Sequence, residues 1–413
     1  METYDLAVVG GGASGLAAAL AAAELARAKG RPLKIAVLEK NPRVGKKLLM
    51  TGNGRCNLTN LRAAPESYHG DAKAAETVLL RFPPEKILSL FRSQGLLCRE
   101  AEEGRVYPHS LQAQSVLNVL RRGLEEDGAR LICDFPVSWL ESVPGGFLAA
   151  CEKDKVRARS LVVATGGKAC PQSGSTGDGY ALLRPFHHSA TPLFPALVQV
   201  RTDPKRVRPL KGVRSPAAAS FLTGGRRIGM SLGEVQFTEN SLSGICIFEL
   251  AHFLGDSSME KAEISLDLAP EYGAGDLAGW LLAQARRFWD RPAAELTEGF
   301  LNKALGAEAV KAALGSVSVP GGSLTEDDAR RIAGVVKDFR FPALGTLSWQ
   351  SAQVTAGGVP LAEVDGALQS RFCRGLYLCG ELLNVDGGCG GYNLQWAWAS
   401  GVAAGLAAAG AMI

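Results

Sequence analysis

A run of glycines near the start of the chain carries the first chemistry that residue types and spacing suggest. Gly10-Gly-Gly-Ala-Ser-Gly15 follows the apolar stretch 4–9 and precedes residues 16–29, which read as a helix. G-x-G-x-x-G between a strand and a helix is a pyrophosphate cradle. Gly10 permits the tight turn, Gly12 lets the backbone approach the phosphates, and Gly15 lets helix and strand pack closely. The helix N-terminus, at Ala13 and Ser14, adds free N–H groups and a partial positive charge. A second apolar run, residues 34–38, ends in Glu39, close to the spacing at which an acid bonds a ribose hydroxyl. That acid favours a free 2′-hydroxyl over NADP in this site.

The motif alone leaves the dinucleotide open. Residues 40–60 are polar and glycine-rich, where a simple NAD domain would enter its next helix. So long a loop is usually functional, and it can wrap a larger cofactor. Lys46 and Lys47 would lie near phosphate, and Gly52 to Asn57 would offer amides to an extended ligand. Two more glycine stations follow apolar strands. One contains Thr165, Gly166 and Gly167; the other runs from Gly380-Glu381 through Asp386 to Gln395. The helix beginning near Tyr392 to Gln395 could aim its dipole at negative charge developing on a reduced cofactor ring.

These residues bring a resemblance with them. Gly10 to Gly15, Thr51-Gly-Asn-Gly-Arg-Cys-Asn-Leu-Thr-Asn60, the stretch 164–179, the stretch 352–359 and the stretch 380–395 together resemble the bacterial BaiN/YhiN-like flavoproteins of the glutathione-reductase-like superfamily. The resemblance implies FAD and a discontinuous FAD domain. By residue matching it implies cofactor contacts from Gly10, Gly12, Ala13, Ser14, Gly15, Glu39, Lys40, Lys47 and Leu48. Thr51, Gly52, Asn53, Gly54, Cys56 and Asn57 follow in the loop. Val137 is expected on a strand that meets adenine through its backbone. Thr165, Gly166, Gly380, Glu381, Asp386, Gly391, Tyr392, Asn393, Leu394 and Gln395 complete the set. Relatives bear names such as aminoacetone oxidase and dehydro-bile-acid reductase, which span several chemistries. This chain departs from the family pattern at residues 237–245, which lack its His and Pro, and at Asn384, where an Asp is expected.

The elements that must position these residues suggest an α/β fold. It is a Rossmann-like, glutathione-reductase-like FAD domain split by an inserted β-barrel-like plus helical domain. The expected boundaries are 1–192 and 346–413 for the FAD domain and 193–345 for the insert, mainly β to 255 and mainly helical from 256. Hairpins are expected around Gly145-Gly146, helices over 274–288 and 293–305, and a helix start at Thr325. No second G-x-G-x-x-G follows a strand, so no dedicated NAD(P)H domain is expected.

Composition bounds the rest. The 413 residues, 46% hydrophobic and 21% charged with a net charge of +4, describe an ordinary globular protein with room for two or three domains. Nine cysteines without C-x-x-C spacing support neither a zinc site nor a disulfide framework, so no metal and a reducing, cytoplasmic setting are expected. Residues 394–413 carry no charged side chain, yet they are mostly Ala and Gly without a basic flank. They read as a buried closing helix rather than a membrane span.

No catalytic residue can be named. Cys56 has no partner for a dithiol mechanism and reads as a small buried hydrophobe. His69, His109, His187, His188 and His252 show no partner spacing, and Tyr107, within residues 105–109, reads as a cleft residue. A flavin needs no general acid or base for simple hydride transfer. Arg201, Lys205, Arg206, Arg208, Lys211, Arg214, Arg226 and Arg227 face only Asp203 across their stretch; a solvated face is the plainest reading. The leading expectation is an FAD-dependent reductase that takes hydride from NAD(P)H and reduces an activated double bond of a small molecule, bound where the two domains join. An amine oxidase passing electrons to oxygen is the alternative. A flavin-containing protein that binds or modifies RNA is a third reading, resting on the basic cluster.

Overall fold

The computed structural model describes residues 1–256 and 261–413. They form two compact units: Met1–Phe194 with Gln353–Ile413, and Pro195–Ala352. Residues 257–260, at the expected join between the strand-rich and helical halves of the insert, lie outside the described residues.

In the first unit, β1 (Glu2–Val9), β2 (Ile35–Leu38), Arg130–Ile132, Lys155–Val163 and Leu376–Leu378 run parallel. β2 and the second half of β1, Leu6–Val9, are wholly apolar and buried, as strands covered on both faces are. The register ends the strands together: Val9 pairs with Leu38 and Val163, Leu38 with Ile132, and Val163 with Leu378. Gly10, Glu39, Ala164 and Cys379, each the next residue, therefore leave one edge of the sheet side by side. Crevices outside the carboxyl ends of parallel strands are where such folds bind ligands. The expected hairpin is present, with Trp139–Val143 and Gly146–Ala150 pairing antiparallel across a turn in which Gly145 has φ 78°.

Two helices of this unit approach closely through glycines. Helix α1 (Ala13–Ala28) meets the closing helix, Tyr392–Gly410, where a Cβ on Gly401 would stand 2.3 Å from the Ser14 carbonyl oxygen and one on Gly405 2.1 Å from that of Ala18. Only glycine allows that approach. Among the described residues, no helix is long and apolar enough to cross a membrane.

The second unit holds an antiparallel sheet in the order Val200–Arg201, Ser241–Ser243, Arg226–Phe237, Arg214–Thr223, Ala262–Asp267, Phe339–Pro342. The last two strands lie in the half expected to be mainly helical. Their alternating pattern is short, and their pairing partners are distant in sequence. The helices there are Ala274–Arg287, Ala293–Leu296, Lys303–Leu314 and Glu326–Lys337. The helix expected over 293–305 is broken, because Asn302 caps a new one by accepting the Ala304 N–H at 3.0 Å. Thr325 does start the last helix, in a reciprocal capping box with Asp328.

Candidate functional site

The three motif glycines have different work. Gly10 has φ 110°, and a Cβ there would lie 2.4 Å from the Ala164 carbonyl oxygen. A Cβ on Gly15 would lie 1.9 Å from the Gly10 carbonyl oxygen. At Gly12 a Cβ would meet nothing within 4 Å, and no side chain caps the N-terminus of α1 that begins there. Uncapped N–H groups beside open space are what a bound pyrophosphate requires. Ser14 is turned away from that space, its Oγ standing 2.3 Å from where a Cβ on Gly380 would be.

Glu39, 7% exposed, organises the next turn. Its Oε2 accepts the Gly11 N–H at 2.9 Å, and its Oε1 accepts the Asn41 N–H at 2.8 Å and Asn41 Nδ2 at 2.6 Å. Lys40 donates to Thr176 Oγ1 and Asp178 Oδ2, both at 2.6 Å. Burial works against a charge on Asp178, but the bonds from Lys40 and Thr176 hold its carboxyl below the ordinary value. Val137 lies in the connection between Arg130–Ile132 and Trp139–Val143, not on a strand. That connection is tied beside Glu39 by the Phe135 N–H to the Glu39 carbonyl at 2.9 Å and the Asp134 N–H to the Asn41 carbonyl at 3.1 Å. The strand expectation failed because the hairpin starts two residues later.

The long loop and the last glycine station come together. Lys47 Nζ lies 2.6 Å from Glu381 Oε2, both side chains partly exposed. Glu381 Oε1 accepts the Thr355 N–H at 2.9 Å, while Thr355 Oγ1 accepts the N–H groups of Lys168 and Ala169 at 2.7 and 2.9 Å. Further along the loop, Asn60 Nδ2 donates to the Gly390 carbonyl at 2.9 Å and Trp398 Nε1 to that of Leu58 at 2.8 Å. Gly380 is gripped at both ends: its N–H donates to Ser400 Oγ at 2.9 Å, and its carbonyl accepts Trp396 Nε1 at 3.1 Å.

The side chains of several expected contact residues are buried or engaged within the protein. Leu48 is buried in the core, and Thr51 Oγ1 donates to its carbonyl at 2.6 Å. Gln395, 1% exposed, is used at both ends, accepting Thr59 Oγ1 at 2.7 Å and donating to the Phe82 carbonyl at 2.8 Å. Asn393 accepts the Gly387 N–H at 2.9 Å and donates back to the Gly387 carbonyl at 2.7 Å. Asp386 is buried in a strand opposite His69. Gly388 to Leu394, Gly12 and Ala13, and Thr51 to Gly54 remain partly or fully accessible. Asn57 Oδ1 and Thr165 Oγ1 are buried without a hydrogen-bond partner among the described residues.

Cys56 is buried, and burial pushes its thiol up to about 12. A neutral thiol is a poor nucleophile, so iodoacetamide at neutral pH should leave Cys56 unmodified in the native protein, and Cys56→Ala should keep the bound cofactor. Rapid alkylation of Cys56, read by mass spectrometry, would contradict the packing role. All nine cysteines are free.

Sequence reasoning missed Asn41, Asp178 and Thr355. Asp178 and Thr355 lie inside the stretches 164–179 and 352–359 that carry the resemblance; Asn41 has no such signal. It also missed the surroundings of His188, whose Nδ1 is 2.8 Å from Glu363 Oε2 and whose Nε2 is 2.8 Å from Ser370 Oγ. Ser370 Oγ already accepts the N–H groups of Phe372 and Cys373 at 3.1 Å, so its own proton must go to His188. The row resembles a catalytic relay, but all its capacity is spent on a buried clasp. In the second unit all eight basic side chains of the cluster are exposed. Among the described residues only Lys211 and Arg214 pair with carboxylates, of Glu239 and Glu234.

Residues 4–407 match the HI0933-like protein Rossmann domain family. The 3-dehydro-bile acid delta(4,6)-reductase of Clostridium scindens is 36% identical over 98% of each chain. A ribosomal RNA dihydrouridine synthase of Haemophilus influenzae is 25% identical over 97% of each chain. The 3-ketosteroid delta1-dehydrogenase from Sterolibacterium denitrificans, solved with 1,4-androstadiene-3,17-dione, shares the fold with a TM-score of 0.54 at 16% identity, covering 100% of both chains.

Proposed function

The chain belongs to the HI0933-like Rossmann domain family, and from that premise we propose that it is an FAD-dependent reductase of carbon–carbon double bonds conjugated to a carbonyl group. The observation that carries the cofactor reading is the flush strand edge, with three glycine stations and an uncapped α1 opening on space at Gly12. The two relatives' names describe one kind of chemistry, saturation of a double bond beside a carbonyl, on a steroid in one case and on uridine in the other.

FAD held here would supply two-electron hydride chemistry. The chain's own residues supply binding and orientation. Gly12, Ala13 and Ser14 present the α1 N-terminus to the pyrophosphate. Glu39 keeps lone pairs for a ribose hydroxyl while fixing Gly11 and Asn41, and the Val137 segment meets the adenine beside it. Lys40 and Lys47, each already neutralised by a carboxylate, order the loops rather than bind phosphate. Thr165 and Asn57, with unpartnered oxygens, and the accessible 388–394 segment face the ring end. Leu48, Cys56, Asp386 and Gln395 hold that frame from behind. NADH or NADPH as the donor is part of the proposal.

The test is anaerobic mixing of FAD-loaded protein with NADH, then NADPH, followed by a Δ4-3-ketosteroid. The flavin absorbance should bleach with a nucleotide and return with the enone. Bleaching without return removes the conjugated-carbonyl reading, and no bleaching removes the pyridine nucleotide. A second reading, an RNA substrate, is favoured by the exposed basic cluster and by the dihydrouridine synthase relative. It requires return of the absorbance with ribosomal RNA and its loss as salt is raised. The amine-oxidase alternative has neither a relative reported above nor a residue constellation in its favour.

A further inference from the structure

Three cations around the glycine stations are neutralised by carboxylates. Lys40 pairs with Asp178, Lys47 with Glu381 and Arg105 with Glu103. Arg55 is different. Its Nε donates to the Gly52 carbonyl at 3.2 Å, and its guanidinium carbon lies 5.3 Å from the centroid of the Tyr107 ring. Among the described residues no carboxylate lies within ion-pair distance of it. The two contacts hold the planar group by one edge and one face and leave its outer N–H groups turned to solvent.

The segment that carries Arg55 is over-determined. Gly52, Asn53 and Gly54 have φ of 56°, 55° and 81°, and Cys56 has φ 58°. Left-handed backbone at non-glycine residues costs on the order of 1 kcal/mol each and tends to collect at functional sites. Here the buried Cys56, whose N–H donates to the Thr51 carbonyl at 3.0 Å, anchors the base of the turn. The neighbouring Asn57 Oδ1 stands 3.0 Å from where a Cβ on Gly391 would be, so the turn lies against the start of the closing helix. An exposed cation on a rigid turn, beside a glycine station and without an acidic partner, is built to meet an oxygen from outside the chain.

We infer that Arg55 holds the carbonyl oxygen of the unsaturated substrate and stabilises the charge that gathers on it; the assignment rests on the conjugated-carbonyl reductase reading. In such a reduction hydride from the reduced cofactor adds to the β-carbon. The π electrons move to the carbonyl oxygen, forming an enolate, and the α-carbon then takes a proton from water. Two electrons and two hydrogens are thus added across the double bond. A guanidinium with two free donors suits the oxygen that becomes negative, because charge-assisted bonds strengthen as the charge develops.

The test measures binding of an enolate mimic, the phenolate of 4-nitrophenol, to the FAD-loaded protein by equilibrium dialysis, with nitrobenzene as the neutral counterpart. Arg55→Ala should weaken phenolate binding about tenfold or more, the loss expected for a charge-assisted hydrogen bond. Nitrobenzene affinity, flavin content and Tm should stay unchanged, and Arg55→Lys should restore part of the phenolate affinity. Equal phenolate binding by wild type and Arg55→Ala overturns the assignment, and so does a wild type that binds no phenolate. Failure of enones to reoxidise the wild-type flavin strikes the reductase reading instead, and phenolate affinity decides Arg55 separately.

Discussion

Gly15→Ala should yield a protein that retains little FAD and unfolds at a clearly lower temperature. The added Cβ would stand 1.9 Å from the Gly10 carbonyl oxygen and 3.2 Å from the Ala164 Cβ. No flexible side chain is present to give way at the closest point, because the obstacle is backbone. Gly10 has little room to retreat, since it packs so close to the Ala164 carbonyl that a Cβ on it would stand 2.4 Å from that oxygen. The strain must move strand, turn or helix, at a cost of about 3 kcal/mol or more by comparison with overpacked buried sites. Gly12→Ala is the informative partner. With nothing within 4 Å of its Cβ, that variant should keep the Tm of the apoprotein yet lose FAD, because the methyl group occupies the space kept for the pyrophosphate. Flavin absorbance per protein and thermal unfolding of both apoproteins check the pair. Wild-type flavin content in Gly12→Ala would remove the phosphate cradle from this position.

Glu39→Ala should weaken FAD binding by roughly 30-fold or more, taking about 2 kcal/mol for buried donors stripped of a charged acceptor. The carboxylate does two jobs in one place. It accepts the Gly11 N–H, which sets the glycine turn, and both donors of Asn41, which set the following loop. Glu39→Gln should be intermediate, because the amide keeps one acceptor oxygen but turns an N–H₂ toward existing donors. Titrating FAD into each apoprotein by flavin fluorescence quenching gives the affinities. Unchanged affinity in Glu39→Ala would mean that the ribose is held elsewhere.

Local chemistry made much of the frame legible. The strand–turn–helix of residues 4–29 was readable because fully buried strands are continuously apolar and because only glycine fits the turn. The 145–146 hairpin and the Thr325 cap were readable for the same reason: their determinants lie within four residues of each other. Val137 and the break near Asn302 were misjudged where a weak local pattern competed with a turn or a cap. The strands Ala262–Asp267 and Phe339–Pro342 were invisible because pairing, not propensity, makes them strands.

By itself, then, the sequence carried the cofactor class, since the close backbone approaches at Gly10 and Gly15 are a statement about geometry that no other residue can satisfy. Which side chains face the ligand was decided only by tertiary structure. Lys47 is bound to Glu381, 334 residues away, and Gln395 to Thr59, 336 residues away, so both side chains are engaged inside the frame. Arg55, unremarked among the loop's amides, is left with its outer donors free. A charged or polar side chain reaches a ligand only if no nearer partner claims it, and those partners are brought close by the fold and not by the spacing.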